Sequence, residues 1–147
     1  MKNTNSIFNN LNNFYNNKMK TSYIFLLLLS AVIVGGEIHA GGLYLKGTVG
    51  TSLSTLYNFV KSYTGIKLSG GPEYDYKTSN GNGRFVSKMG DGHVVAFYFH
   101  NKKRHYALCD GGFNGAPEYK YAAAAGNWAI TYCTSGFWGR KSNYGEY

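Results

Sequence analysis

The residues of this sequence best suited to chemistry are two histidines that flank a short basic segment. His100 and His105 enclose Asn101-Lys102-Lys103-Arg104, a polar stretch of a length that commonly joins two antiparallel strands. If a hairpin closes there, the two imidazoles lie opposite each other with Cβ atoms about 5 Å apart. Such a pair can contact a ligand, hold a metal ion or form ordinary surface hydrogen bonds, and these interpretations stay open.

The sequence argues against a metal centre and against known catalytic arrangements. A zinc site needs three or four ligands, and His93, seven residues before His100, points to the opposite face of a regular strand. Cys109 follows His105 by four residues, about 13 Å along a strand, so the two cannot form a catalytic dyad. No glycine-rich phosphate loop stands between a strand and a helix. We therefore expect no enzyme activity, no metal and no cofactor.

Basic and aromatic side chains supply the remaining candidate contacts. Lys102, Lys103 and Arg104 can meet a pyrophosphate or an acidic lipid, with arginine providing a bidentate fork. A solvated loop tip is the plain alternative. Trp138, in the turn-like sequence Gly136–Gly139, is the aromatic residue most expected to be exposed. The candidate target-binding residues are therefore Lys102, Lys103, Arg104, His100, His105 and Trp138.

Residues 1–40 are expected to precede the folded domain. Lys18-Met19-Lys20, an apolar run over Ile24–Val34 and small residues up to Ala40 follow the order of a secretory signal peptide. A permanent membrane span needs about 20 apolar residues, so we expect none here. The Asn-rich stretch before Met19 lacks apolar periodicity, which favours translation from Met19. We expect a secreted protein, cleaved between Ala40 and Gly41.

Composition and charge favour a small basic β protein that binds anions. The 147 residues include 20 Gly and 14 Tyr, and the formal net charge is +8. Beyond residue 40 there are 12 Lys and Arg residues and 6 acidic ones, which leaves +6. A secreted cation is attracted to lipid headgroups, wall polymers or nucleic acid. No basic stripe resembles a nucleic-acid module, so envelope components are the favoured partners and nucleic acid is not expected.

Two parts of the exported chain differ in pattern. Within residues 41–68, a glycine-rich stretch precedes one short amphipathic helix, whose apolar face is Leu53, Leu56, Tyr57 and Val60. That helix is expected to pack on the sheet rather than on a membrane, and the whole segment is either a propeptide or an added helix. Over residues 69–147, about five to six short strands separated by Gly and Asn turns predict a small antiparallel β-sandwich.

The two cysteines and one strand add specific structural expectations. In an oxidising compartment a Cys109–Cys133 disulfide is favoured over two buried thiols. It would close a loop of about 24 residues and contribute about 3 kcal/mol in the chain-entropy model. In the strand Asn127–Cys133, alternation places Trp128, Ile130 and Tyr132 on one face, so Trp128 is expected to hold the sheet.

Several short motifs of residues 69–147 match those of one protein family in their order. Tyr98-Phe99-His100, followed after four residues by His105-Tyr106-Ala107-Leu108, is similar to the paired-histidine hairpin of the lactococcin 972 family of secreted bacteriocins. Gly126-Asn127-Trp128-Ala129 resembles its Gly-Lys-Trp-Ala strand, and Asn143–Tyr147 its Tyr-rich end. Ser69-Gly70-Gly71 with Tyr74-Asp75-Tyr76 resembles its opening. Lys77, in place of a usual Gly, and the two cysteines depart from the family pattern.

The resemblance implies a β-sandwich without catalysis that binds the cell-wall precursor lipid II, with a homodimer as a further implication. It also implies structural roles for Tyr98, Gly126, Trp128 and Tyr144. We therefore expect a cationic bacteriocin-like protein that inhibits related bacteria by binding an envelope component. The alternative is a secreted structural or adhesive module that binds glycans or a host surface through its tyrosines.

Overall fold

The computed structural model describes residues 40–147, which form eight strands and one helix. The Asn-rich extension, the start at Met19 and the predicted signal peptide up to residue 39 lie outside the described residues, whereas Ala40 begins the first strand. The elements are β1 (Ala40–Lys46), α1 (Leu53–Thr64), β2 (Tyr74–Lys77), β3 (Gly83–Gly90), β4 (His93–His100), β5 (His105–Asp110), β6 (Tyr119–Ala123), β7 (Asn127–Thr134) and β8 (Lys141–Glu146).

The strands form two antiparallel sheets, with the orders β1-β7-β4-β3-β2 and β6-β5-β8. The small all-β sandwich expected from the sequence is confirmed, with eight strands instead of five or six. Its two additional strands are β1, which lies in the glycine-rich stretch, and β6. The predicted last strand is present as β8, and the turn signals after β2 and β3 both form.

The helix α1 forms where its apolar periodicity predicts it. Ser52 caps the start by accepting a hydrogen bond from the Thr55 backbone N–H at 3.1 Å. Gly65 ends it in the left-handed conformation, with φ of 78°, and its N–H donates to the Lys61 carbonyl. Leu56 and Val60 are completely buried against the five-stranded sheet, so the helix packs on the sheet as expected.

The core lies on both faces of the five-stranded sheet. Between this sheet and α1, Phe97 packs with the large side chains of Trp128 and Ile130. Between the two sheets most of the buried side chains of this cluster are alanines, with Phe85 and Tyr98 as the large exceptions. Trp128 is completely buried, and its indole N–H donates to the Thr48 carbonyl at 3.2 Å. The predicted faces of β7 are therefore confirmed.

Residues 41–68 complete this sandwich. The strand β1 pairs with β7 along its whole length, from Ala40 opposite Cys133 to Lys46 opposite Asn127. Gly41 and Gly42 lie directly against tyrosine rings of β7 and β6, where a Cβ atom would collide. The glycines thus permit close packing rather than marking a loop. Removal of this segment as a propeptide stays a prediction, and cleavage at residue 68 would uncover the face beneath α1.

The predicted hairpin between His100 and His105 is wrong. Both edges of β4 are occupied by β3 and β7, while β5 pairs with β6 and β8 in the other sheet. Residues 101–104 therefore cross from one sheet to the other, and His100 and His105 are not a cross-strand pair. A polar segment of four residues suits either connection, so its length alone did not distinguish them.

The predicted Cys109–Cys133 disulfide is confirmed. It joins β5 to β7, with Cα atoms 5.9 Å apart, and so connects the two sheets covalently. Both cysteines are completely buried.

Candidate functional site

The loops that carry the candidate residues lie at two ends of the sandwich. The histidine end contains His100, His105, residues 101–104 and Tyr147, whose N–H donates to the Arg104 carbonyl. The aromatic end contains the loops 110–118 and 135–140. The strand β4 runs between these ends, from His93 beside Thr134 to His100, a length of about 23 Å. The structure therefore does not bring Trp138 and the basic segment into one site.

His100 holds the backbone of the basic segment. Its side chain is buried, and Nδ1 accepts hydrogen bonds from the N–H groups of Lys102 and Lys103 at 3.1 and 3.0 Å. Nε2 lies 3.3 Å from a carboxylate oxygen of Glu146. Burial lowers the pKa of His100, and the nearby charges of His105, Lys103 and Lys102 lower it further against the opposing effect of Glu146. The neutral ring, with its proton on Nε2, fits this arrangement.

His105 joins two loops in the interior. It is completely buried, with Nδ1 2.7 Å from the Lys103 carbonyl oxygen and Nε2 2.9 Å from that of Asn127. One of these carbonyls receives an N–H in either neutral tautomer. The two histidine ring centroids are 6.3 Å apart. The sequence predicts both histidines as candidate target contacts, whereas the structure places them in the interior as hydrogen-bonding groups.

Tyr98 and Glu146 complete this network, which we call the histidine network. The Tyr98 hydroxyl donates to one Glu146 oxygen at 3.0 Å, and the Lys103 ammonium donates to the other at 2.7 Å. The Lys103 hydrogen bond lowers the pKa of Glu146, while burial raises the pKa of Tyr98. The Tyr144 ring packs on Tyr98 with centroids 4.2 Å apart. Gly126, at φ of 79°, donates its N–H to the His100 carbonyl at the turn before β7.

The three cations of the basic segment are exposed, as expected, but differ in their partners. Lys103 forms the ion pair with Glu146. The Arg104 guanidinium lies over the Tyr147 ring, 5.0 Å from its centroid. For the Lys102 ammonium no partner is found among residues 40–147. The segment therefore presents fewer free charges than its sequence suggests.

The aromatic end exposes three large side chains beside one another. Phe113, Phe137 and Trp138 have 53%, 70% and 63% of their surface exposed. Phe113 and Trp138 stack with centroids 4.6 Å apart and planes 3° apart, and Phe137 lies 6.2 Å from Trp138. The exposure predicted for Trp138 is confirmed.

Backbone contacts hold these aromatic rings in place. The Phe113 N–H donates to the Trp138 carbonyl at 2.8 Å, and the Phe137 N–H donates to the Phe113 carbonyl at 3.0 Å. The two loops approach so closely at Gly136 that a Cβ atom there would collide with the Phe113 carbonyl. The apolar surface is therefore presented by two interlocked loops.

Two cations border the aromatic surface. Arg140 donates to the Ser135 hydroxyl at 3.2 Å, and in the described part of the chain neither Arg140 nor Lys141 forms an ion pair with a carboxylate. Together with Phe137 and Trp138 they line an open groove of about 770 Å³. An apolar surface next to free cations suits an amphipathic anion. Phe113, Arg140 and Lys141 were not predicted as contacts. The run Phe137-Trp138-Gly139-Arg140-Lys141 nevertheless places two aromatic residues next to two cations in the sequence itself.

Other polar clusters of residues 40–147 serve structure. Asp75 forms a bidentate ion pair with Arg84, with both N···O distances 2.7 Å, and this hydrogen bonding lowers the pKa of Asp75. Within the same residues, no three His, Cys, Asp or Glu side chains lie close enough to hold a metal ion. No helix described there has the length and apolar character needed to cross a bilayer.

The fold and its surface define a small disulfide-linked β-sandwich with a cationic surface and an exposed aromatic end. No family model, curated protein or solved structure matches this chain. The resemblance to the lactococcin 972 family therefore rests on the residues quoted for it, and the function that it implies belongs to a proposal.

Proposed function

We propose that this protein is a secreted, cationic, non-enzymatic bacteriocin-like protein. It inhibits related bacteria by binding an anionic component of the cell envelope, either lipid II or the anionic wall or membrane surface. The observation that carries this proposal is the aromatic end, where three exposed aromatic rings stand beside Arg140 and Lys141. A second copy of the chain is a further partner that the resemblance suggests, and the basic segment is a further contact that its charge suggests.

The exposed rings of the aromatic end favour binding to an interface. Contiguous apolar surface exposed to water is characteristic of protein or membrane interaction sites. Aromatic side chains favour the headgroup region of a bilayer, and their transfer from water contributes about 25 cal/mol for each Å² removed. Because the interlocked loops already fix Phe113 and Trp138, binding requires little further ordering.

Charge supplies the selectivity for an anionic surface. Each Lys or Arg near an anionic membrane contributes about 1 kcal/mol to the binding free energy. Arg140 and Lys141 can make this contribution beside the rings. The net charge of +6 beyond residue 40 attracts the protein to such surfaces from a distance. The disulfide supports an oxidising compartment, as secretion requires.

Sedimentation with lipid vesicles tests the aromatic end. We expect binding to phosphatidylglycerol vesicles at low salt, little binding to phosphatidylcholine vesicles, and a loss of at least tenfold in the variant Phe137→Ser/Trp138→Ser. The matched control is Tyr44→Ser/Tyr63→Ser, which removes two aromatic rings of similar exposure outside the aromatic end. Equal binding by both double variants would contradict the proposed site.

A clearing-zone assay tests the biological function separately. Secreted, disulfide-linked protein is applied to lawns of related bacteria. We expect growth inhibition by the wild-type protein and its loss in Phe137→Ser/Trp138→Ser. If the protein binds vesicles but inhibits no related strain, the aromatic end still makes a membrane contact, and the bacteriocin-like function is wrong.

One observation favours the alternative of a glycan-binding adhesive module. Tyr44, Phe59, Tyr63 and Tyr121 line an open groove of about 390 Å³ whose lining carries no charged residue. Phe59 and Tyr63 lie with ring centroids 4.7 Å apart. Ring faces and tyrosine hydroxyls suit the C–H faces and hydroxyls of a neutral sugar. Binding to neutral polysaccharide that Tyr44→Ser/Tyr63→Ser abolishes, together with no growth inhibition, would favour this function.

A further inference from the structure

Two cations, Arg104 of the basic segment and Lys120 of β6, lie against tyrosine rings. The Lys120 ammonium lies 3.8 Å from the centroid of the Tyr106 ring and 5.1 Å from that of Tyr147. The Arg104 guanidinium lies 5.0 Å from the Tyr147 centroid, and the two rings are 5.5 Å apart. We call these four residues the tyrosine–cation cluster.

The cluster leaves its positive charges without a neutralising partner. Arg84 and Lys103 each lie 2.7 Å from a carboxylate oxygen. Among the described residues neither Arg104 nor Lys120 makes such an ion pair. A ring orients a cation without cancelling its charge or occupying its outward N–H donors. The cluster therefore keeps two like charges, both near one ring, available for an anion.

The register places Tyr106 and Lys120 on the outer face of the three-stranded sheet, and their ring contacts bring Tyr147 and Arg104 to the same place. Ala107 and Cys109 of β5 are completely buried, so alternation directs Tyr106 outward. Lys120 of β6 stands opposite Leu108, on the same outer face. On the other side, Gly145 stands opposite Tyr106, and a Cβ atom there would collide with the Tyr106 ring. Glycine thus lets the ring lie across β8 and keeps this part of the surface flat.

We propose that this outer face binds a linear polyanion, a flexible polymer of phosphodiester-linked polyols. The polymer passes Lys120 and Arg104 and continues to the exposed Lys102 of the neighbouring basic segment. Successive phosphates of one chain can meet several separated cations, which a single small anion cannot do. The choice of a wall polyol as the source rests on the proposed envelope function, whereas the placement of the cations does not.

The cluster favours a polyol phosphate over a nucleic acid. Proteins that bind single strands stack bases on free aromatic faces. Here the Lys120 ammonium lies over the Tyr106 ring. The Tyr147 ring is approached by both the Lys120 ammonium and the Arg104 guanidinium. A polyol phosphate needs only the cations. This surface is separate from the aromatic end, so the polymer would concentrate the protein at the wall while the aromatic rings stay free.

Affinity electrophoresis against synthetic poly(glycerol phosphate) tests the proposal. The variant Arg104→Gln/Lys120→Gln removes the two ring-held cations. The matched control Lys61→Gln/Lys67→Gln removes two exposed cations elsewhere, so both variants have the same net charge. At low salt we expect binding at least tenfold weaker in the first variant and close to wild type in the control. Two lost phosphate contacts would also reduce the slope of log K against log salt by about 1.5.

The remaining outcomes are equally decisive. Tyr147→Leu keeps both charges but removes the shared ring, and we expect binding several-fold weaker. Equal weakening in both glutamine variants would overturn the proposal, because net charge alone would then explain binding. Tighter binding to a single-stranded oligonucleotide of equal charge would show that the cluster prefers a nucleic acid and would overturn the proposed polyol ligand. Phe137→Ser/Trp138→Ser should retain polymer binding while losing vesicles, which separates failure of this proposal from failure of the proposed function.

Discussion

The two ends of the sandwich connect the sheets by different chemistry. Near the aromatic end a disulfide joins β5 to β7, and the adjoining loops interlock so that apolar rings face water. At the histidine end no disulfide joins the sheets in the described chain, and the histidine network of Tyr98, His100, His105 and Glu146 lies there instead. The comparison teaches that the side chains most reactive by type serve the interior, while apolar side chains form the candidate contact surface.

The largest effect is expected from removing the covalent connection. Cys109→Ala/Cys133→Ala should lower the free energy of unfolding by about 3 kcal/mol, because the disulfide closes a long loop in the unfolded chain. Urea unfolding measures this change. Hydrogen exchange should quicken at the amides of Phe113 and Phe137 more than at those of Lys102 and Lys103. Uniform quickening would show that the two ends are not independent.

A somewhat smaller effect is expected from breaking the histidine network. His105→Leu leaves the carbonyl that accepts the ring N–H, either that of Lys103 or that of Asn127, without its buried donor. This loss should lower the free energy of unfolding by about 1–3 kcal/mol. His93→Gln is the control, since His93 lies at the aromatic end of the sandwich and is only partly buried. Its unfolding free energy should change by less than about 0.5 kcal/mol. Similar losses in the two variants would contradict a special role for His105.

The ends should also differ in their response to pH. His100 has a lowered pKa in the folded protein, so below its ordinary value of 6.5 the unfolded chain binds the proton first. Stability should therefore fall as the pH drops below 6.5, until the folded-state pKa of His100 is passed. Protonation at Nδ1 would also remove the acceptor for Lys102 and Lys103. Urea unfolding across this pH range should show the fall in the wild type.

His100→Asn provides the control for that pH dependence. The asparagine side chain offers an oxygen acceptor to the same backbone N–H groups but does not titrate. Stability of this variant should change less between pH 6.5 and pH 5 than that of the wild type. A further fall below about pH 4.5 should remain in both proteins. The folded-state pKa values of Glu146 and Asp75 are lowered, so the unfolded chain binds these protons first. Identical profiles above pH 5 would exclude His100 as the cause.

The smallest effect is expected at the exposed ion pair of the histidine end. Lys103→Gln should change the free energy of unfolding by less than about 1 kcal/mol, since the Lys103 side chain is 57% exposed and the pair is screened. Lys102→Gln, which breaks no observed ion pair, should change it even less. Vesicle binding through the aromatic end should be nearly unchanged in both. A tenfold loss of vesicle binding in either variant would show that the basic segment, and not the aromatic end, makes the contact with the vesicle.

Short-range rules predicted much of the fold. The buried face of α1 and the faces of β7 depend on local conformation and alternation alone. The disulfide followed from two cysteines and a proposed oxidising compartment. The division into two sheets did not follow, because residues 101–104 suit a hairpin as well as a crossing. The strand β1 was missed because its glycines, needed beside tyrosine rings, resemble those of a loop.

The candidate surface was predicted only in part. The exposure of Trp138 followed from its turn-like context, and the exposure of Lys102 from its charge. Burial of His100 and His105 depends on Glu146 and Asn127, which come from distant strands, so local spacing could not reveal it. Phe113 joins Trp138 only because two loops interlock, another contact between segments far apart in the chain.

Fluorescence quenching by brominated lipids tests the central claim most directly, since the two tryptophans have opposite environments. Trp128 is completely buried and Trp138 is 63% exposed, so a change on membrane contact reports the aromatic end. With brominated phosphatidylglycerol vesicles at low salt, we expect a blue shift and strong quenching in the wild type and neither in Trp138→Phe. Unchanged wild-type emission at vesicle concentrations that sediment the protein would show that another surface makes the contact.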